Sequence, residues 1–122
     1  MDAAIARKSL EKHLARLRPT EGLRPPAKGW VRAIRDALGM TAVQLANRMK
    51  VSQPSVVALE KDEAKSTVTL ARLERAAEAM ECTLVYALVP NRPLNDIVME
   101  QARQRADKLL SLAHDMTEVV ST

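Results

Sequence analysis

Three short runs in the middle of the chain share one local arrangement, and it limits the fold more than any other feature. Met40-Thr41 with Leu45, Val51-Ser52 with Val56, and Val68-Thr69 with Leu73 each set an apolar residue before a hydroxyl residue, with a second apolar residue four positions after it. A Ser or Thr side chain at that place accepts from an amide that the first helical turn leaves unpaired, and the flanking apolar pair fixes the angle at which the chain enters the helix. Thr41 with Gln44 adds the reciprocal capping box. The arrangement predicts helices over about 42–49, 53–61 and 70–80. Pro54 lies in the first turn of the second, where its missing N–H costs nothing. Upstream, "WVRAIRDAL" at 30–38 reads as another helix, with Gly39 placed to end it in a left-handed conformation.

With 122 residues and 47% hydrophobic content the chain can bury one core, which leaves the ends as appendages. The predicted organisation is an N-terminal helix and basic, Pro-rich arm over 1–29, a helix-turn-helix domain over 30–81, and a dimerising strand with a C-terminal helix over 82–122. Residues 3–17 place Ile5, Leu10, Leu14 and Leu17 near one helical face, and "RPTEGLRPPAKG" interrupts regular structure after them. The single cysteine, Cys82, cannot form an internal disulfide, and no Cys/His cluster offers a metal site. The reading is a soluble, cytoplasmic protein of a reducing compartment, since the charged N-terminal residues resemble neither a signal peptide nor a membrane anchor.

The helices at 42–49 and 53–61 have the spacing of a helix-turn-helix. Leu45, Ala46, Met49, Val51, Val56 and Leu59 would point inward, which leaves Gln53, Pro54, Ser55 and Ala58 facing outward near the start of the second helix. A helix with so few charges suits the major groove if amides and hydroxyls read base edges while phosphates are held elsewhere. Charge is distributed unevenly: residues 1–35 hold nine Lys/Arg against three Asp/Glu, 36–80 six against six, and 81–122 four against six. A basic end fits a polyanionic partner, and it equally fits a solvated helix.

The run from "VRAIRDALGMTAVQLANRMKVSQPSVVALEKD" to "TLARLERAAEAM" resembles the five-helix DNA-binding domain of the phage-repressor, or XRE, class. The resemblance implies a mainly α fold, with N- and C-terminal helical extensions and one short β-strand paired between subunits added here. It implies a salt bridge between Arg35 and Glu60, base contacts at Gln53, Pro54, Ser55 and Ala58, and phosphate contacts at Thr41, Gln44, Lys50, Ser52, Lys61 and Lys65. Three departures stand out. Ala42 replaces the Gln that usually follows the capping Thr, and Lys50 and Asp62 stand where glycines are common, at a modest cost if the backbone there is left-handed. Val57 could touch a thymine methyl, and burial within the chain fits it at least as well. Nearly the whole chain, including "PPAKGWVRAIRDALGMT" and "LERAAEAMECTLVYALVP", is similar to the narrower mobile mystery protein A group of bacterial regulators encoded beside Fic-domain proteins. That likeness implies an autorepressor with an antitoxin-like role toward a Fic-domain toxin, associated with the nucleoid when bound.

"CTLVYALVP" at 82–90 is the one strand candidate, with Thr83, Leu84, Val85, Tyr86, Ala87, Leu88 and Val89 between the cysteine and Pro90. A lone strand leaves its amides and carbonyls unpaired, so the economical expectation is an intermolecular antiparallel ribbon and a twofold homodimer. Donation of the strand to another protein is the alternative. Such a dimer suits a near-palindromic operator read by two helices one turn, roughly 34 Å, apart. Residues 94–114 read as a final helix with Leu94, Ile97, Val98, Ala102, Ala106, Leu109, Leu110 and Ala113 on a broad apolar stripe. It is open to core packing, a partner subunit or a toxin, and Trp30 reads as the anchor of one of these appendages.

Arg16, Arg18, Arg24 and Lys28 form a basic arm suited to phosphates or a narrow minor groove. No nucleophile motif, glycine-rich phosphate loop or cofactor signature is present, so no catalytic residue, metal or cofactor is expected. Three functions stay open: a sequence-specific repressor on double-stranded DNA, an antitoxin module whose main task is to hold a protein, and an architectural binder without sequence preference.

Overall fold

The computed structural model describes residues 2–121, and for residues 120 and 121 the backbone only. The elements are α1 (Ala3–Ala15), a 3₁₀ turn (Glu21–Leu23), α2 (Trp30–Ala37), α3 (Ala42–Met49), α4 (Gln53–Ala64), α5 (Leu70–Ala79) and α6 (Leu94–Ser121). The chain divides into two compact units, one of residues 21–87 and the other of residues 1–20 with 88–122.

In the 21–87 unit the hydroxyl residues start three helices. Thr41 Oγ1 accepts from the Gln44 amide at 3.1 Å while Gln44 Oε1 accepts from the Thr41 amide at 2.8 Å. Ser52 Oγ accepts from the Ser55 amide at 3.3 Å and Thr69 Oγ1 from the Arg72 amide at 3.2 Å. The staple residues then meet in one core of Val31, Met40, Leu45, Ala46, Val56, Leu59, Ala76 and Met80, with Val51, Val68 and Leu73 packed on its edge. Around it α3 packs on α4 and α5, and α2 on the same two helices.

Four helices of this unit close in one way. Met40 N–H reaches back to the Arg35 carbonyl, Val51 to Ala46, Thr67 to Asp62 and Cys82 to Ala77, at 2.8–3.0 Å. Each six-residue loop places its penultimate residue in the left-handed region: Gly39 (φ 66°), Lys50 (φ 59°), Ser66 (φ 60°) and Glu81 (φ 58°). Only one of the four is a glycine. The helix expected to stop at 61 therefore runs a turn further, and Asp62 lies inside it, so the left-handed backbone considered for Asp62 belongs to Ser66. α2 lacks a capping side chain of its own, because Gly29 precedes it at φ 90°. Glu63 of α4 takes that role, with Oε2 accepting from the Trp30 amide at 2.7 Å and Oε1 from the Val31 amide at 2.9 Å. A Cβ on Gly29 would lie 2.7 Å from the Glu63 carboxyl carbon, so a side chain there would displace the cap. The Trp30 ring is 43% exposed and does not serve as a buried anchor.

In the other unit α1 lies against the beginning of α6, and Leu14 of α1 is buried. Arg7 Nε donates to Asn95 Oδ1 at 3.1 Å, and Glu11 Oε2 accepts from the Leu94 amide at 3.2 Å, capping α6. Arg18 donates from Nε and Nη2 to the Pro90 carbonyl at 3.2 and 3.1 Å and from Nη1 to Glu11. That guanidinium, followed by the Leu94 amide, holds the Glu11 carboxyl below the usual carboxylate range. Ile5 and Leu10 are exposed, so of the expected α1 face only Leu14 is buried.

The expected strand is not formed: no described residue is in a strand, and residues 83–90 have no regular structure. β propensity describes what a segment does once an edge is beside it, and this chain offers none. Val85, Tyr86 and Leu88 are 81%, 72% and 93% exposed. The last helix, in contrast, runs past the expected end at 114 to Ser121.

The left-handed Glu81 generates a direct test. Relief of the Cβ clash, about 1–2 kcal/mol, exceeds the added chain entropy of glycine, about 0.5–1 kcal/mol. Glu81→Gly is therefore expected to raise the stability of the 21–87 unit by about 0.5–1 kcal/mol in urea unfolding, and a loss of stability would contradict this account of the helix end.

Candidate nucleic-acid interface

The candidate surface is built from α3, its turn and α4, and a buried ion pair sets its orientation. Arg35 of α2 and Glu60 of α4 are 9% and 7% exposed. Arg35 Nε donates to Glu60 Oε1 at 2.5 Å and Nη2 to Oε2 at 3.1 Å, so the two planar groups meet in a two-point fork. The same guanidinium donates from Nη1 to the Met40 carbonyl at 2.9 Å, at the turn between α2 and α3. The hydrogen bonds to Glu60 are the main cause that raises the Arg35 pKa above its ordinary value. One side chain thus links α2, the start of α3 and the middle of α4.

With Val56, Leu59 and Glu60 turned inward, the helical period turns Gln53, Pro54, Ser55 and Ala58 outward, and all four are exposed. Val57 sits between these faces and is half-buried. Ser52 and Ser55 hydroxyls lie 2.8 Å apart in hydrogen-bonding contact, which orients them at the helix start and still leaves acceptor capacity on each. Gln53 makes no side-chain bond among the described residues, so its amide can offer a donor and an acceptor together.

The electrostatics of α4 follow from what its carboxylates touch. Glu60 is held by Arg35, Asp62 Oδ2 accepts from Arg72 Nη1 at 2.7 Å, and Glu63 caps α2. Glu60 and Asp62 are thereby paired with cations and Glu63 with the amides of the α2 start, all inside the unit. Lys61 and Lys65 remain exposed toward its C-terminal end, and Lys50 is exposed on the turn before it. The first turn of α4 carries no acidic residue, so the positive end of the helix dipole is unopposed.

The other residues singled out in the sequence are distributed as follows. Thr41, Gln44, Lys50 and Ser52 are exposed around the α3 start and the turn, and the Gln44 side chain keeps its amide donors beyond the capping box. Arg24 and Lys28 are exposed on the segment leading into α2. Arg16 is exposed at the C-terminal cap of α1, in the other unit. Arg18, grouped with the arm in the sequence, is instead turned onto Glu11 and Pro90, because a carboxylate and a carbonyl together outcompete solvent for its fork. Arg48 and Arg75 donate to the Ala79 and Met49 carbonyls at 3.4 and 3.3 Å, tying α3 to α5. Cys82 is half-buried beside the core and donates to the Met80 carbonyl. Among the described residues no group of His, Cys, Asp or Glu is arranged to hold a metal ion.

Sequence reasoning missed the roles of Asp62 and Glu63. A usable signal was present for Glu63: the predicted helix at 30 begins without a capping hydroxyl or carboxylate, so its cap had to come from elsewhere. For Asp62, no such signal exists.

Removing one member of the buried pair strands the other without solvent. Glu60→Ala is expected to cost about 3–5 kcal/mol, and Arg35→Met with Glu60→Leu should recover most of that loss. Urea unfolding of the three proteins tests it, and a Glu60→Ala change within about 0.5 kcal/mol of the parent would contradict a structural role for the pair. No curated protein and no solved structure matches the chain. Residues 31–86, which hold the ion pair, the exposed α4 face and the segment after α5, match the helix-turn-helix family of the XRE type.

Proposed function

We propose that the protein is a sequence-specific transcriptional regulator of double-stranded DNA, with α4 as the helix that enters the major groove. The observation that carries this reading is the outer face of α4: uncharged groups at Gln53, Pro54, Ser55 and Ala58 are exposed together, while every carboxylate of the helix is occupied inside the fold. Such a face brings no negative charge to the phosphates and offers an amide and a hydroxyl to base edges, with Ala58 suited to a thymine methyl. Thr41, Gln44, Lys50, Ser52, Lys61 and Lys65 are the proposed phosphate contacts, joined by Arg24 and Lys28 of the arm. On this reading the protein binds rather than catalyses.

Operator palindromy follows if two copies act together. Residues 83–89 support that step, since among the described residues their amides donate no backbone bond and Val85, Tyr86 and Leu88 are exposed. A second copy of the segment would complete the ladder as an antiparallel ribbon. The resemblance to Fic-associated regulators adds autorepression and an antitoxin-like contact with a Fic-domain toxin as the finer proposal.

Direct readout is tested with Gln53→Ala and Ser55→Ala on an operator taken from the DNA upstream of the protein's own gene. The backbone cap at Ser55 is kept in the second variant, because Ser52 supplies it. Removing a side chain that bonds a base edge should weaken operator binding by about 1–3 kcal/mol, with an unchanged salt slope. Equal affinity of both variants and the parent would overturn the reading, and equal affinity of the parent for operator and random duplex would leave an architectural binder in its place.

A further inference from the structure

We propose that the outer part of α6 pairs antiparallel with α6 of a second copy of this chain. The proposal stands apart from the reading of α4 and concerns a surface the DNA contacts do not use. α6 has 28 residues, about 42 Å of helix, yet among its described side chains only Leu94, Ile97 and Glu100 are even half-buried. Residues 101–119 are exposed without exception. Most helical stability in a protein comes from packing an apolar face, and a face that a partner could cover is present. Met99, Ala102, Ala106, Leu109, Ala113 and Met116 follow one another at alternating steps of three and four. That spacing keeps one seam turned toward a partner helix of the same kind.

Area, charge and size point to a second copy as the occupant. Leu109, Leu110, Leu112 and Met116 are large exposed apolar side chains beside or within the part of the seam that two antiparallel copies share. At roughly 60–120 Å² each they offer about 250–500 Å², comparable with the roughly 450 Å² of apolar area in one side of a standard stable interface. Residues 100–108 carry Arg103, Arg105 and Lys108 against Glu100 and Asp107, whereas 109–119 carry Asp115 and Glu118 and no Lys or Arg. Antiparallel pairing sets the positive half of each helix against the negative half of the other, and parallel pairing would set like against like. The same arrangement allows Leu109 to face Ala113 of the second copy and Met116 to face its Ala106, so that large meets small along the seam.

The test uses the full chain in sedimentation velocity at micromolar concentration. The parent is expected to run as a dimer, and Leu109→Gln with Met116→Gln to raise the dissociation constant at least ~100-fold, a loss of about 2.8 kcal/mol at 1.4 kcal/mol per tenfold. Glutamine keeps helix propensity, and Leu109 and Met116 are exposed on α6, so the circular dichroism and the unfolding of the 21–87 unit should be unchanged. Orientation is read with a spin label on Gln101→Cys in a Cys82→Ser chain, where antiparallel pairing puts the two labels about 30 Å apart along the axis. Labels in contact range would overturn the orientation. A dimeric double-Gln variant beside a monomeric Val85→Pro variant would overturn the pairing in favour of residues 83–89. A monomeric parent would overturn it as well, and would leave a different protein as the occupant of the seam. None of these outcomes bears on Gln53 and Ser55, whose variants are read by affinity for duplex DNA.

Discussion

Two opposite charges are buried between α2 and α4, and the geometry of the side proposed to face DNA follows from how they meet. Arg35 uses both edges of its guanidinium, two donors for the Glu60 carboxylate and a third for the Met40 carbonyl. Buried charges are costly unless each lone pair and each donor has a partner, and among the described residues no buried side-chain nitrogen or oxygen lacks one. The pair therefore acts as a register device. A rotation of α4 by one residue would break both hydrogen bonds and carry Glu60 toward the surface, so only the rotation that leaves Gln53, Pro54, Ser55 and Ala58 outward satisfies it.

The remaining acidic groups of α4 extend the same logic. Asp62 goes to Arg72 of α5, and Glu63 closes the first turn of α2. Each contact joins two helices, and each also turns a carboxylate to a partner inside the unit and away from a surface proposed to meet phosphate. Stability and electrostatic suitability thus arise from the same side chains. Gly29 belongs to this arrangement, because the carboxylate of Glu63 occupies the space a Cβ would need.

Legibility in the sequence tracked how local each signal was. The starts of α3, α4 and α5 were readable, because a capping hydroxyl and its flanking apolar pair lie within six residues of one another. The ends were harder: three of four left-handed residues are Lys50, Ser66 and Glu81, and without glycine nothing local marked the last turn of α4. The cap on α2 lies 32 to 33 positions away in the chain, beyond any window of residue pattern. The meeting of Arg35 with Glu60 came from family resemblance and had no periodic signature. The Val/Leu/Tyr composition at 83–89 spoke for a strand, but pairing is a property of two segments and this chain contains one. Arg18 looked like part of a phosphate-binding arm until the Pro90 carbonyl and Glu11 were placed beside it.

The central claim is that the rotation of α4 imposed by the buried pair presents residues 53–58 to duplex DNA. Titration of the labelled protein with its operator, followed through backbone amide and Gln53 side-chain resonances, tests this most directly. The account requires the largest shifts at Gln53–Ala58 and at the Gln53 amide group, with the Leu45 and Leu59 core resonances little changed. Shifts confined to α1 or α6, with residues 53–58 silent at saturating operator, would contradict it.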